Sequence, residues 1–161
     1  MHDCRFADLY AGTGAVGIEA LSRGAAHVWF AEKAEPALAA IRTNLRALKI
    51  SNGFTIEDRG TGALLERLAI AAQKAIDDGL VPGIQLDVVY VDPPWEAETE
   101  YATTLHLLGS ARGAALLPAG ALVVVEHKSK SPLPERFGHL IHSRTRKQGD
   151  AALSFYALET P

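Results

Sequence analysis

Apolar and polar residues follow two different periods along the chain, and each period predicts a different element. Short apolar runs rich in β-branched and aromatic residues predict strands at CRFADLYA, HVWFAE, GFTIED, LDVVYVD and GALVVVEHK. Apolar residues that recur every three or four positions predict helices at AVGIEALSRG, PALAAIRTNLRALK, TGALLERLAIAAQKAI and EYATTLHLLGSA. Because these strands and helices alternate, we expect a parallel sheet with helices on both faces.

The last quarter of the chain has a different pattern. The runs HLIHSRTRK and ALSFYALE flank a QGD turn and predict an antiparallel pair of strands. The predicted fold class is therefore α/β: a doubly wound, mostly parallel, Rossmann-like sheet with a C-terminal antiparallel hairpin. The chain has 161 residues and no repeat or linker, so we expect one domain over residues 1–161.

Composition narrows the class of protein further. Apolar residues make up 48% of the chain and charged residues 22%, as in ordinary globular proteins. The longest apolar run, AALLPAGALVVV, is too short to cross a bilayer, and no signal-peptide pattern opens the chain. The single cysteine, Cys4, excludes an internal disulfide. We expect a cytoplasmic monomer that binds neither a membrane nor a metal.

Charge is unevenly distributed. The net charge of −3 is not typical of a dedicated nucleic-acid-binding domain. Within residues 126–147, however, basic residues outnumber the two acidic ones. The basic residues are Lys128, Lys130, Arg136, Arg144, Arg146 and Lys147. Such a segment suits contact with phosphates, and it equally suits a solvated edge hairpin protected by charge. The charge pattern alone leaves both interpretations open.

The stretch DLYAGTGAVG joins the first strand to the first helix and places Gly12, Gly14 and Gly17 in a G-x-G-x-x-G spacing. This spacing lets the backbone approach a nucleotide or nucleoside closely. Glu32 ends the second strand, where a carboxylate can accept both ribose hydroxyls. These residues fit NAD and S-adenosylmethionine equally, because both cofactors carry an adenosine. Asp8 favours S-adenosylmethionine, since a carboxylate there would repel a pyrophosphate and attract a sulfonium or amino group.

The motif Asp92-Pro93-Pro94-Trp95 follows the most apolar predicted strand. The two prolines predict a stiff loop, in which the Asp92 side chain and the Pro93 carbonyl offer two acceptors to an exocyclic amino group. Such acceptors favour a pyramidal nitrogen whose lone pair points at a sulfonium methyl group. Trp95 can stack on a flipped base, which is typically worth about 1–3 kcal/mol. A rigid surface turn is the alternative interpretation of the motif.

Three stretches together, DLYAGTGAVGIEALSRGA, VYVDPPW and GDAALSFY, resemble the bacterial RsmD-type methyltransferases. The resemblance runs along nearly the whole chain. It implies a class I methyltransferase fold, S-adenosyl-L-methionine as the cofactor, and methylation of the exocyclic amino group of a guanine in small-subunit ribosomal RNA. It implies a small-subunit particle as the partner. Family members usually carry a short N-terminal segment with basic residues before the first strand, whereas this sequence begins almost at that strand.

The resemblance also implies roles for individual residues. Cofactor contacts are expected at Asp8, Ala11, Gly12, Thr13, Gly14, Glu32 and Lys33, and after the third strand at either Asp58 or Arg59. Base-binding and catalytic roles are expected at Asp92, Pro93, Pro94 and Trp95. The basic C-terminal region is expected to face ribosomal RNA. The last turn often has an aromatic residue in the family, and this chain has Gln148 there.

Three alternatives stay open. An NAD-dependent oxidoreductase would use the glycines and Glu32 but leaves the Asp-Pro-Pro-Trp motif without a role. An amino-methyltransferase acting on another nucleic-acid base or on a protein amide would use the same chemistry on a different target. A protein that binds RNA or the cofactor without catalysis is the third alternative.

Overall fold

Eight strands form one sheet within residues 2–159, the part of the chain that the computed structural model describes. The strands are β1 (Arg5–Leu9), β2 (His27–Ala31), β3 (Phe54–Glu57), β4 (Val88–Val91), β5 (Leu122–Lys128), β6 (Arg136–Phe137), β7 (Leu140–Gln148) and β8 (Ala151–Leu158). The helices are α1 (Ala15–Ser22), α2 (Glu35–Ala47), α3 (Thr61–Asp77), α4 (Glu98–Gly109) and α5 (Ala111–Ala114). Their order confirms the predicted alternation.

The strand order is β3-β2-β1-β4-β5-β8-β7-β6. Strands β1 to β5 pair in parallel, and β8, β7 and β6 extend the sheet by antiparallel pairing. This confirms the doubly wound sheet with a C-terminal antiparallel hairpin. The chain runs outward from β1 to β3 and then resumes at β4 on the other side of β1. Such a switch point between neighbouring strands is where open α/β sheets bind ligands.

Apolar clusters cover both faces of the sheet. The larger cluster joins the sheet to α3 and α4 and includes Leu64, Leu105 and Val89. The smaller cluster joins it to α1 and α2 and includes Phe30 and Ile41. Burial of these side chains supplies the main force that holds the helices on the sheet. In the described part of the chain, no helix is long and apolar enough to cross a membrane.

Glycine allows close approaches of the backbone at the start of α1 and at the end of α4. A Cβ on Gly17 would lie 2.3 Å from the Phe30 ring, so α1 packs directly on β2. A Cβ on Gly109, at the end of α4, would lie 1.8 Å from the Phe137 carbonyl oxygen. A Cβ on Gly138 would lie 2.3 Å from the Gly109 oxygen, which also accepts a 2.8 Å hydrogen bond from the backbone N–H of His139. The end of α4 is therefore in backbone contact with the turn between β6 and β7.

Candidate functional site

The glycine turn between β1 and α1 adopts left-handed backbone conformations. Gly12 has φ +56° and Gly14 has φ +78°, which cost little because neither residue has a Cβ. The Gly14 N–H donates to the Ala11 carbonyl at 2.8 Å and closes the turn. A Cβ built on Gly12 would meet no atom within 4 Å, so this side of the turn is open. The sequence-predicted turn therefore borders free space.

Three backbone N–H groups hold the Glu32 carboxylate at the end of β2. Gly12 donates to Oε2 at 2.9 Å, and Lys33 and Ala34 donate to Oε1 at 2.8 and 2.9 Å. An ionised carboxylate can accept about four hydrogen bonds, so acceptor capacity remains. These bonds tie the second strand to the glycine turn and fix the direction of the carboxylate.

A cavity of about 700 Å³ lies at the switch point of the sheet. Its volume is within the range of about 300–1,000 Å³ that small-molecule sites occupy. Sequence-predicted residues that line it are Gly12, Glu32, Lys33, Arg59, Asp92 and Pro94. The cavity therefore brings residues from the glycine turn, from the ends of β2 and β3, and from the motif after β4 to one place.

Asp8 lies behind the glycine turn and does not line this cavity. Its side chain is 2% exposed and accepts a 2.8 Å hydrogen bond from the Gly17 N–H. Burial raises the pKa of Asp8 to about 7, and the charges of Asp92 and Glu32 add to this while the Gly17 bond opposes it. A carboxyl that is partly neutral at pH 7 repels a pyrophosphate less than the sequence suggests. Direct contact of Asp8 with a cofactor stays a prediction.

The other predicted turn residues shape the cavity from behind. Ala11, Thr13 and Gly14 build the turn without lining the cavity. The Thr13 carbonyl accepts a 3.0 Å hydrogen bond from the Asn44 side chain of α2. These three residues therefore position Gly12, and their own contact with a cofactor stays a prediction.

The carboxylate that ends β3 is Glu57, whereas the sequence pointed to Asp58. Glu57 is 6% exposed and accepts hydrogen bonds from Arg59 Nε at 3.0 Å and Arg67 Nε at 3.2 Å. The Arg59 bond, more than any other contact, lowers the pKa of Glu57. Asp58 is exposed and does not line the cavity, whereas Arg59 does. Of the two residues left open by the sequence, Arg59 occupies the place at the cavity.

Three polar residues of the cavity, Tyr10, Thr61 and Glu100, were not predicted from the sequence. The Tyr10 hydroxyl donates to Glu100 at 2.7 Å and lies 2.6 Å from the Thr104 hydroxyl. Thr61 Oγ1 is buried and makes no hydrogen bond of normal geometry to the described residues, although it is close enough to lower the pKa of the Tyr10 phenol. An unpaired buried hydroxyl costs free energy unless a ligand satisfies it. The position of Thr61, first in α3 after a strand end, was the available sequence signal.

The motif after β4 stands at the opposite wall of the cavity. Asp92 is half-buried, and its N–H donates to the Leu9 carbonyl of β1 at 3.4 Å. Burial raises the pKa of Asp92 to about 6, and the nearby negative charge of Glu126 adds to the effect. Pro93 is buried, and its carbonyl accepts a 3.3 Å hydrogen bond from the Tyr101 hydroxyl, a contact that the sequence did not indicate.

Trp95 faces a second cavity of about 310 Å³, which it shares with Tyr101, Lys128 and Ser131. Lys128 Nζ lies 5.9 Å from the centroid of the Trp95 ring, within the range of a cation–π contact. The motif therefore separates the two cavities. Asp92 and Pro94 line the first cavity and Trp95 lines the second.

The basic C-terminal segment does not act as one surface. Arg136 forms a two-pronged ion pair with Glu159, with both N–O distances at 2.8 Å. Arg144 stacks over the Phe155 ring at 4.4 Å and stays exposed on β7. Lys128 points to the second cavity. The basic residues nearest the motif are thus available to a ligand, while Arg136 is neutralised by its partner.

Metal ligation finds no support in the part of the chain that is described. Across residues 2–159, no three His, Cys, Asp or Glu side chains come together in a way that could hold a metal ion.

Comparison with known proteins places the chain in a family. The sequence profile of the family described as "Conserved hypothetical protein 95" matches residues 1–157. A candidate rRNA methyltransferase of Bacillus subtilis, YlbH, is 29% identical over 149 residues, which are 92% of this chain and 73% of that protein. Ribosomal RNA small subunit methyltransferase D of Escherichia coli K12 is 28% identical over 157 residues, which are 98% of this chain and 70% of that protein.

A solved structure supports the same placement. The structure of yhhF, a candidate methyltransferase from Escherichia coli, superposes with a TM-score of 0.75 at 27% identity and covers 98% of this chain and 78% of that one. The shared sheet confirms the class I methyltransferase fold that the resemblance implied. The chain therefore belongs to the RsmD-type family of S-adenosyl-L-methionine-dependent methyltransferases.

Proposed function

We propose that this protein transfers a methyl group from S-adenosyl-L-methionine to the exocyclic 2-amino group of a guanine in small-subunit ribosomal RNA. The proposal rests above all on the position of Asp92-Pro93-Pro94-Trp95, which ends β4 beside a cavity walled by Gly12 and Glu32. The names of YlbH and methyltransferase D support ribosomal RNA as the target. Asp92 lies in the same cavity as the nucleoside-binding residues, so both reactants would meet there.

The residues of the larger cavity fit the cofactor. Glu32 keeps acceptor capacity for a ribose hydroxyl, because three backbone donors use three of its about four lone-pair sites. Gly12 leaves open space where a side chain would stand. Thr61 supplies a buried hydroxyl that lacks a partner in the described residues and that a polar ligand would satisfy. When bound, S-adenosylmethionine supplies an electrophilic methyl group on a sulfonium.

Asp92 and Pro93 would hold the amino group of the base. The Asp92 carboxylate accepts one amino N–H, and the Pro93 carbonyl has a second lone pair beside the one that Tyr101 uses. The nitrogen becomes acidic once it carries the methyl group, and Asp92, with its pKa raised to about 6, is a competent acceptor for the released proton. Holding the nitrogen in line with the methyl group supplies most of the rate.

The second cavity would receive the face of the base or of its neighbour. Trp95 offers an aromatic surface for stacking, and Lys128 at 5.9 Å adds a positive charge beside it. Arg144 and Arg146 are exposed on β7, where they would add positive charge for phosphate groups. Flat apolar surface next to positive charge is the combination that a single-stranded nucleic acid needs. We therefore propose RNA, rather than a protein amide, as the substrate.

The test is methyl transfer to small ribosomal subunits and to naked small-subunit RNA that lack the modification. After incubation with S-adenosylmethionine, the RNA is digested and its nucleosides are identified by mass spectrometry. We expect N2-methylguanosine, formed about 100- to 1,000-fold more slowly when Asp92→Asn replaces the wild type. Methylation of adenine or of a ribosomal protein instead, or no transfer to either substrate, would overturn the proposal.

A further inference from the structure

Glu126 stands beside Asp92 at the same edge of the sheet. Val91 of β4 pairs in parallel register with Val125 of β5, and Asp92 and Glu126 each follow these paired residues by one position. Side chains that are adjacent in register lie on the same face of a sheet. The two carboxylates are close enough for the charge of Glu126 to act on Asp92. In the sequence, Glu126 is one of the two acidic residues within residues 126–147.

Tyr90 holds the Glu126 side chain in place. The Tyr90 hydroxyl donates to Glu126 Oε2 at 2.5 Å, and Tyr90 lies on the face of β4 that also carries Asp92, two residues later. Among the described residues, Glu126 Oε1 has neither a hydrogen bond nor an ion pair. One oxygen of the half-buried carboxylate is thus fixed, and the other is an acceptor beside Asp92.

An acceptor at this place distinguishes guanine from the other bases with an amino group. Guanine carries an N1–H directly next to its 2-amino group. Adenine and cytosine carry a bare ring nitrogen, a hydrogen-bond acceptor, next to theirs. A carboxylate that only accepts can pair with the guanine N1–H, whereas it faces a lone pair on the other two bases. Two buried acceptors left facing each other disfavour the wrong base strongly.

We propose that Glu126 is a specificity-determining residue that accepts the N1–H of the target guanine while Asp92 accepts the neighbouring amino group. This inference rests on the proposed function and names what selects the base. Tyr90 is a positioning residue that acts through Glu126. Recognition of an edge through two adjacent donors requires two adjacent acceptors, and the ends of β4 and β5 supply them.

The test compares RNAs that carry guanine or 2-aminopurine at the target position, placed by ligation and assembled into small subunits. Both bases offer a 2-amino group, and only guanine offers an N1–H. We expect the wild type to prefer guanine by about 10- to 100-fold in kcat/KM, as for one well-placed base contact. 6-Thioguanine keeps the N1–H and loses O6, so its rate stays close to that of guanine and excludes an O6 effect.

The variant Glu126→Gln keeps an oxygen for Tyr90 and places an amide N–H toward the base, where it can donate to N1 of 2-aminopurine. We expect the preference for guanine to fall to about threefold or less, or to reverse. Tyr90→Phe keeps the Glu126 carboxylate but removes the hydroxyl that holds it in place. We expect a preference for guanine between those of the wild type and Glu126→Gln. Cofactor binding measured by calorimetry verifies that both variants fold.

Two results would overturn the inference: equal rates of the wild type on guanine and 2-aminopurine, or an unchanged preference in Glu126→Gln. The first needs no variant, so it decides even if a variant fails to fold. Failure of the proposed function has a different signature, because the wild type would then not methylate the guanine RNA at all.

Discussion

The two walls of the larger cavity treat their carboxylates in opposite ways. On the wall formed by β2, Glu32 accepts three hydrogen bonds from backbone N–H groups. On the wall formed by β4, the Asp92 side chain makes no hydrogen bond to the described residues, and burial raises its pKa to about 6. Folding thus supplies hydrogen-bond donors to the carboxylate of the β2 wall, whereas the carboxylate of the β4 wall keeps its acceptor capacity, as the proposed binding of a second reactant there requires.

The largest expected effect comes from removing that unsatisfied acceptor. Asp92→Asn keeps the size of the side chain but puts a donor in place of one acceptor oxygen and cannot take up the proton. We expect kcat to fall about 100- to 1,000-fold, the usual cost of losing one group that acts in the transition state. Cofactor affinity measured by calorimetry should change less than about threefold, because Glu32 and the glycine turn stay intact.

The matched control for this change is Asp58→Asn. Asp58 is an exposed aspartate that also follows a parallel strand and does not line the cavity. We expect it to leave both kcat and cofactor affinity unchanged. A similar loss of kcat in both variants would show that the effect of Asp92→Asn does not come from its position in the cavity.

The next largest effect is expected on cofactor affinity, from a change in the wall formed by β2. Glu32→Ala removes the ribose acceptor and leaves the Gly12, Lys33 and Ala34 N–H groups without their partner. Hydrogen bonds to a charged group contribute about 1.5–3 kcal/mol, so we expect the dissociation constant of S-adenosylmethionine to rise about 10- to 100-fold. Glu35→Ala, an exposed glutamate in the first turn of α2, is the control and should bind normally. Tighter binding of NAD than of S-adenosylmethionine by the wild type would contradict the assignment of this wall.

A smaller effect is expected from the packing under the glycine turn. In Gly17→Ala the new methyl group would start 2.3 Å from the Phe30 ring, so α1 must move off β2. Overpacking of this kind costs about 1–3 kcal/mol, to be measured by urea denaturation. Gly62→Ala in α3 meets no atom within 4 Å and should leave the stability unchanged or raise it by up to about 1 kcal/mol. Equal stability of both variants would show that the turn is not held by this contact.

The smallest effect is a pH dependence of turnover. Asp92 can take up the released proton only when it is ionised, so kcat/KM should rise with pH around a midpoint of about 6 and change about twofold between pH 6 and pH 8. Glu126 raises the pKa of Asp92 through its negative charge. Glu126→Gln should therefore move the midpoint to lower pH. A midpoint that stays in place, or moves upward, would show that the charge of Glu126 does not raise the pKa of Asp92.

Most of the sheet could be predicted because its strands and helices are long enough to show a period. Five apolar runs, four amphipathic ones and the final hairpin all correspond to elements in the structure. The two elements that were missed, β6 with two residues and α5 with four, are too short to carry one. Their conformation depends on contacts with α4 and β7, which lie elsewhere in the chain.

The candidate site was predictable at the level of positions but not of individual hydrogen bonds. Gly12, Glu32 and Asp92 follow strands, and parallel topology brings strand ends together. Whether an acceptor is already used depends on distant residues, as with Glu57, which accepts a 3.2 Å hydrogen bond from Arg67 Nε. Asp58 differs from Glu57 by one position, and strand boundaries are uncertain by more than that from sequence.

The direction in which a side chain points was the second property that could not be predicted from the sequence. Trp95 follows Asp92 by three residues, yet the turn that leads into α4 sends it to the other cavity. The Pro94 carbonyl closes this turn by accepting from the Ala97 N–H at 2.8 Å. Tyr90 and Glu126 are 36 residues apart and meet only because β4 and β5 are neighbours. Side-chain pairs that form between adjacent strands cannot be recognised from the local sequence pattern.

The backbone of Gly109 at the end of α4 contacts the backbone of Gly138 in the turn between β6 and β7. Two backbones meet there without a side chain between them, so neither can slide or tilt alone. The Asp-Pro-Pro-Trp motif leads directly into α4, and the exposed arginines stand on β7. A displacement of the turn between β6 and β7 therefore requires the end of α4 to move, and α4 begins three residues beyond Trp95.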